Sequence, residues 1–108
     1  MMMKRVTEIT PRDAAQCCLD GVLLLDCREH KELVLARIEG ALHIPMGDIP
    51  SRQTELDPDR PTIVFCHKGA RSYKVAAFLL EQGFTDVKSM AGGIDAWSAQ
   101  VDASVPRY

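Results

Sequence analysis

A short apolar run passes directly into a basic, glycine-containing loop in the stretch Thr62-Ile63-Val64-Phe65-Cys66-His67-Lys68-Gly69-Ala70-Arg71-Ser72. Its first four residues are typical of a strand that is buried on both faces of a sheet. Apolar residues then recur at helical spacing, which predicts a helix from Arg71 to Gln82 with Gly83 as its C-terminal cap. The stretch therefore predicts a buried strand, a tight loop and a helix, which together are the repeating unit of an α/β sheet.

The rest of the chain alternates short β-rich runs with amphipathic stretches. Further strands are predicted at Lys4 to Ile9, Val22 to Leu25, Ala41 to Ile44 and Val87 to Met90. Further helices are predicted at Pro11 to Leu19, Glu29 to Leu35, Asp48 to Leu56 and Ile94 to Gln100. This alternation predicts a doubly wound α/β fold, with a central and mainly parallel sheet of about five strands flanked by helices.

The bulk composition predicts one globular domain that spans residues 1–108. Hydrophobic residues make up 46% of the chain, charged residues 26%, and the formal net charge is −2. That charge gives no indication of nucleic acid or an anionic membrane as a partner. No apolar run approaches the roughly 20 residues of a membrane span, and the start of the chain lacks the apolar stretch of a signal peptide. We therefore expect a cytoplasmic protein.

Four cysteines lie at positions 17, 18, 27 and 66, with the spacing of neither a zinc site nor a disulfide framework. We expect free thiols in a reducing compartment, and no metal or organic cofactor. Cys66 is the candidate reactive thiol. Cys17, Cys18 and Cys27 are interpreted as packing residues, with a redox role for Cys27 beside Cys66 as the alternative.

The position of Cys66 favours a thiolate. Ligands of doubly wound sheets bind at the carboxyl ends of strands, where both Cys66 and Asp26 are predicted to lie. Gly69 gives the loop after Cys66 the freedom to turn its amide groups inward as an anion-binding nest. The start of the next helix and the cations His67, Lys68 and Arg71 add positive potential. A thiolate at neutral pH is a strong nucleophile.

Four segments resemble the rhodanese family in their order and spacing, and the resemblance covers nearly the whole chain. These segments are Leu24-Leu25-Asp26-Cys27-Arg28-Glu29, Gly40-Ala41-Leu42-His43-Ile44-Pro45, Cys66-His67-Lys68-Gly69-Ala70-Arg71-Ser72 and Gly92-Gly93-Ile94-Asp95-Ala96-Trp97. The resemblance implies a three-layer rhodanese-like domain and a sulfurtransferase. In such an enzyme, Cys66 takes sulfane sulfur from thiosulfate or a persulfide donor and passes it to a thiol or cyanide acceptor.

The loop residues then have distinct expected roles. Arg71 is expected to hold an oxyanion bidentately, and Lys68 to attract the donor and stabilise the persulfide. His67 is expected at the rim, and Ser72 to cap the helix or bond the sulfur. Gly69 and Ala70 complete the anion-binding loop. Two supporting residues precede it in the chain: Asp26, which would accept hydrogen bonds from the loop or pair with a loop cation, and Arg28, a candidate substrate contact.

Two other classes of function stay open at this point. A phosphatase or arsenate reductase of related fold uses a Cys-x5-Arg loop, whereas Cys66 to Arg71 is the shorter Cys-x4-Arg. A protein-interaction module, or a sulfur carrier dedicated to one protein acceptor, is the second alternative. Retention of Cys66 and of the complete loop counts against an inactive module.

Overall fold

Five parallel strands form the centre of the molecule, which we describe from a computed structural model over residues 5–108. The strands are β1 (Thr7–Ile9), β2 (Leu23–Asp26), β3 (Leu42–His43), β4 (Thr62–Phe65) and β5 (Val87–Met90). Their order in the sheet is β1-β5-β4-β2-β3, and every ladder is parallel. The predicted mainly parallel sheet of about five strands is therefore confirmed.

Within residues 5–108, five α-helices cover both faces of this sheet, which confirms the predicted three layers. They are α1 (Pro11–Cys18), α2 (His30–Leu35), α3 (Ile49–Arg52), α4 (Ala70–Glu81) and α5 (Gly93–Gln100). Residues of α3 and α4 pack with β2 and β4 in one apolar cluster, which includes Ile49, Val75 and Leu79. Residues of α1 and α5 build a second cluster on the opposite face, around Ala14 and Trp97. None of the helices in residues 5–108 has the length and apolarity that crossing a lipid bilayer requires.

Two predicted elements differ from the structure by more than one residue at an end. The first strand begins only at Thr7, because its ladder with β5 starts there; the predicted start at Lys4 lies outside the described residues. The helix predicted from Asp48 to Leu56 is instead a 3₁₀ turn, the four-residue α3 and a second 3₁₀ turn. Pro50 lies in the first turn of α3, where its missing amide hydrogen is tolerated, and α3 ends at Arg52, whose φ of −113° departs from helical geometry.

The strand order fixes where a ligand can bind. β2 has β3 on one side and β4 on the other, so the chain reverses its direction of winding between β2 and β4. In open α/β sheets, the crevice at such a reversal, beyond the carboxyl ends of the strands, is the usual ligand site. Asp26 and Phe65 are direct neighbours at these two ends, which places Cys66 at the crevice.

Candidate active site

The Cys66 thiol lies at the bottom of the loop that joins β4 to α4. The residue is only 1% exposed and belongs to the apolar cluster beneath α4. Its Sγ nevertheless faces polar donors: the Gly69 amide donates to it over 3.1 Å and the Ser72 amide over 3.4 Å. The Ser72 hydroxyl lies 3.6 Å from the same sulfur. The nest agrees with the expectation from sequence, and contact with the sulfur was one of the two roles expected for Ser72, beside capping the helix.

These contacts favour the thiolate over the thiol. Burial raises the pKa of Cys66, but hydrogen bonds from Ser72 and from the amides of Gly69 and Arg71 lower it by more, so the pKa lies below its usual value. The Ser72 hydroxyl is itself fixed, 2.7 Å from the buried hydroxyl of Ser89 on β5. Since the donors are held before any substrate arrives, the site is preorganised for a negatively charged sulfur.

The first turn of α5 holds the carbonyl side of the loop. The amide of Ile94 donates to the Cys66 carbonyl over 2.9 Å, and the amide of Asp95 donates to the His67 carbonyl over 3.1 Å. With these carbonyls turned outward, the following amides turn inward to Sγ, where Gly69 has a φ of 111° that side-chain-bearing residues rarely adopt. Gly93 makes the close approach of α5 possible, since a Cβ there would lie 2.5 Å from the Cys66 carbonyl oxygen.

The three basic side chains of the loop have different environments. Lys68 is exposed and forms no ion pair within residues 5–108, so it is the cation open to a substrate. Arg71 directs both of its terminal nitrogens at Glu32, over 2.7 and 2.8 Å. The expected bidentate grip of Arg71 on an oxyanion is therefore a grip on a protein carboxylate in this structure. His67 lies at the rim, as expected, stacked on the ring of Tyr108.

The Arg71–Glu32 pair is strongly held. The hydrogen bonds with Arg71 lower the pKa of Glu32 to about 2, although burial of the carboxyl opposes this. Glu32 also accepts a bond from the backbone amide of Glu29 over 2.8 Å, which anchors it at the first turn of α2. Glu32 thus fixes the side chain of Arg71, whose backbone amide is one of the groups that lower the pKa of Cys66.

Asp26 and Arg28 form a buried pair, and neither has the contact that sequence analysis expected. Nε and Nη2 of Arg28 donate to the two carboxylate oxygens of Asp26 over 3.0 and 2.7 Å. Asp26 therefore pairs with Arg28 and not with a cation of the active loop. Arg28 was expected to contact substrate; in the structure the residue is 0% exposed and its guanidinium bonds with protein groups. Arg28 also lies 5.6 Å from the centre of the ring of Phe65, the last residue of β4 before Cys66.

Cys27 lies beside Cys66 at the ends of the two neighbouring strands, as predicted. Its thiol is fully buried and donates to the Phe65 carbonyl over 3.4 Å. Burial raises its pKa, and the negative charges of Cys66 and Asp26 raise it further. These contacts are those of a packing residue. Cys17 and Cys18 are partly buried thiols against the opposite face of the sheet.

Three residues around the loop were not identified from sequence: Glu32, Ser89 and Tyr108. Glu32 carried a signal, because a glutamate three residues after Glu29 at a helix start is the pattern of a capping box. Ser89 also carried one, as a polar residue inside an otherwise apolar strand. Tyr108 carried none, since no periodicity or motif connects residue 108 to the loop.

Comparison with known proteins gives the family of this fold and site. Residues 11–100 match the family model of the rhodanese-like domain. The chain is 40% identical to a sulfurtransferase of Allochromatium vinosum, over 86% of its own length and 89% of that protein. It is 38% identical to the thiosulfate sulfurtransferase GlpE of Haemophilus influenzae, over 83% of this chain and 86% of the other. A rhodanese-like domain protein of Staphylococcus aureus has the same fold, with a TM-score of 0.81 at 27% identity, over 95% of this chain and 99% of the other.

The chain belongs to the rhodanese-like family. Within that family it is a rhodanese-type sulfurtransferase, an enzyme that moves sulfur from a donor to an acceptor.

Proposed function

We propose that this enzyme transfers the outer sulfur of thiosulfate, or of a persulfide donor, through a persulfide on Cys66 to a thiol or cyanide acceptor. The observation that carries the proposal is the set of fixed donors around Sγ: two loop amides at 3.1 and 3.4 Å with the Ser72 hydroxyl at 3.6 Å. The thiosulfate donor is suggested by the name of the Haemophilus influenzae relative. The reaction is a double displacement that needs no organic cofactor.

In the first displacement, the Cys66 thiolate attacks the outer sulfur of thiosulfate. The new Cys66 S–S bond forms as the sulfur–sulfur bond of the donor breaks, and sulfite leaves with the electron pair. Lys68 meets the negative sulfonate of the incoming donor, because it is the exposed cation of the loop. The loop amides stabilise the terminal sulfur of the persulfide, which carries the negative charge that the thiolate had before.

In the second displacement, an acceptor attacks the terminal sulfur of the persulfide. Cyanide becomes thiocyanate, and an acceptor thiolate becomes a new persulfide. In both cases the S–S bond to Cys66 breaks, and its electron pair returns to Cys66, which is again a thiolate. The cycle requires a thiol at Cys66 that is not lost to oxidation. We therefore also propose the cytoplasm as the location, since its reducing conditions keep thiols free.

Steady-state sulfite release from thiosulfate, with cyanide as acceptor, tests this function. The unaltered protein is expected to turn over many times, Cys66→Ser to release none, and Cys17→Ser, a matched control on α1, to behave like the unaltered protein. Hydrolysis of an aryl phosphate or reduction of arsenate by the same preparation, without sulfite release, would overturn the proposal in favour of the phosphatase class. Transfer of sulfur to a protein thiol but not to cyanide would favour the alternative of a sulfur carrier dedicated to a protein acceptor.

A further inference from the structure

Tyr108 is in direct contact with the beginning of the active loop. Its ring stacks on the imidazole of His67, with the ring centres 4.0 Å apart and the planes inclined by 6°. The backbone oxygen of Tyr108 lies 2.6 Å from Nε2 of the same histidine. Because that oxygen only accepts, Nε2 carries a proton and donates it. Two contacts of different kinds thus fix the orientation of His67, the residue that follows the nucleophile.

The hydroxyl of Tyr108 reaches the other end of the loop through Glu32. It accepts a hydrogen bond from Nη1 of Arg28 over 2.9 Å and donates one to Oε1 of Glu32 over 3.0 Å. The same carboxylate accepts hydrogen bonds from both terminal nitrogens of Arg71. An unbroken chain of hydrogen bonds therefore runs from the buried Asp26–Arg28 pair to the sixth residue of the loop, and Tyr108 is its central member.

We propose that Tyr108 is a positioning residue for sulfur transfer, which fixes His67 at one end of the active loop and, through Glu32, Arg71 at the other. The proposal rests on the function proposed above. Its physical reason is that the amides which hold the charge on Cys66 belong to residues between and beside these two fixed points. Donors that are held in place before the reaction stabilise the developing charge more than donors that must reorient.

The geometry separates this role from simple packing. Tyr108 is only partly buried and packs against the second apolar cluster, whose fully buried members are other residues. Its hydroxyl makes both bonds of the network, whereas its ring makes the stack on His67. Removing the hydroxyl alone and removing the whole ring should therefore give graded effects on the loop.

The test compares Tyr108→Phe with Tyr73→Phe, which alters an exposed tyrosine on α4 and serves as the matched control. We expect Tyr108→Phe to raise the midpoint pH of Cys66 alkylation by iodoacetamide and to lower kcat/KM for sulfite release about three- to tenfold. Tyr73→Phe should change neither. Tyr108→Ala should raise the alkylation midpoint and lower kcat/KM by more than Tyr108→Phe does, because His67 then loses the stacked ring as well.

The proposal would be overturned if Tyr108→Phe had the same alkylation midpoint as the control and a kcat/KM within about twofold of it. Circular dichroism establishes that each variant is folded, and the phenylalanine variant decides the question even if the alanine variant does not fold. Alkylation needs no sulfur donor, so the role of Tyr108 is decided separately from the proposed function. Absence of sulfite release with a shifted alkylation midpoint would reject the function and keep the positioning role.

Discussion

Replacing Gly93 by alanine would push a methyl group into the backbone of the active loop. The added Cβ would lie 2.4 Å from the His67 carbonyl oxygen and 2.5 Å from that of Cys66. Since real Cβ atoms hardly ever approach within 3.0 Å, the loop or α5 must move by at least about 0.5 Å, and by about 1 Å to reach ordinary contact. A displacement of that size at a reacting group lowers the rate on the order of a hundredfold.

The same substitution should also destabilise the fold. Overpacking and the positive φ of 59° at this position together cost about 2–5 kcal/mol. Gly83→Ala is the matched control: its φ of 98° is less favourable for alanine than that of Gly93, but its Cβ would meet nothing within 4 Å. If backbone strain alone mattered, Gly83→Ala would lose at least as much stability as Gly93→Ala. If the clash with the loop matters, Gly93→Ala loses more.

Urea unfolding and kcat/KM for sulfite release, measured at a temperature where both variants are folded, separate these two explanations. We expect Gly83→Ala to lose stability but to keep its activity within about twofold, and Gly93→Ala to lose activity by roughly a hundredfold. Equal activities of the two folded variants would refute the idea that the first turn of α5 holds the loop in its working shape.

Three further predictions follow from the charges and hydrogen bonds around the loop. Ser72→Ala removes the hydroxyl near Sγ, so the pKa of Cys66 should rise and alkylation at pH 7 should slow roughly two- to tenfold. Glu32 has a lowered pKa, so the stability it contributes is complete above about pH 4.5 and is lost as the pH falls toward 2. In Glu32→Gln, the loss of unfolding free energy between about pH 4.5 and pH 2 should be smaller than in the unaltered protein by about 1 kcal/mol. The difference is modest because the carboxyl is partly screened by solvent. Asp26→Asn leaves the charge of Arg28 buried without its partner and should lower the free energy of unfolding by about 3–5 kcal/mol in urea titrations.

Each of these three predictions has a contradicting result. An unchanged alkylation midpoint in Ser72→Ala would mean that the backbone amides of the loop lower the pKa of Cys66 without help from the hydroxyl. Parallel pH–stability curves of Glu32→Gln and the unaltered protein would show that Glu32 titrates normally. A loss below about 1 kcal/mol in Asp26→Asn would show that water reaches Arg28.

The strand–loop–helix unit around Cys66 was predictable from sequence because its signals are local. Four apolar residues, a glycine in the loop and helical periodicity after it each restrict the backbone within a few residues. The position of Cys66 at the carboxyl end of β4 follows from these signals together with the rule for parallel sheets. Boundaries were less predictable: residues 46–55 form three short helical pieces, and no local sequence signal marks the end of α3 at Arg52.

The partners of the charged residues were not predictable from sequence. Arg71 and Arg28 both have carboxylate partners in the structure, Glu32 and Asp26, so the predicted bidentate grip of Arg71 is on a protein carboxylate. Sequence spacing counts the cations of a loop but does not say which of them a neighbouring carboxylate already holds. Those partners depend on tertiary packing. The same holds for Tyr108, which contacts the loop although it lies 36 residues beyond Ser72, the last residue of the loop.

Intact-mass spectrometry after mixing with thiosulfate, in the absence of an acceptor, decides whether Cys66 carries the sulfur. We expect a gain of one sulfur atom per chain, located on Cys66 by peptide mapping, with an equal amount of sulfite released; addition of cyanide should remove the sulfur. Cys66→Ala should gain none, and Cys27→Ala should gain the same as the unaltered protein. Sulfite release without a sulfur adduct on Cys66, or an adduct on another cysteine, would show that Cys66 is not the sulfur carrier.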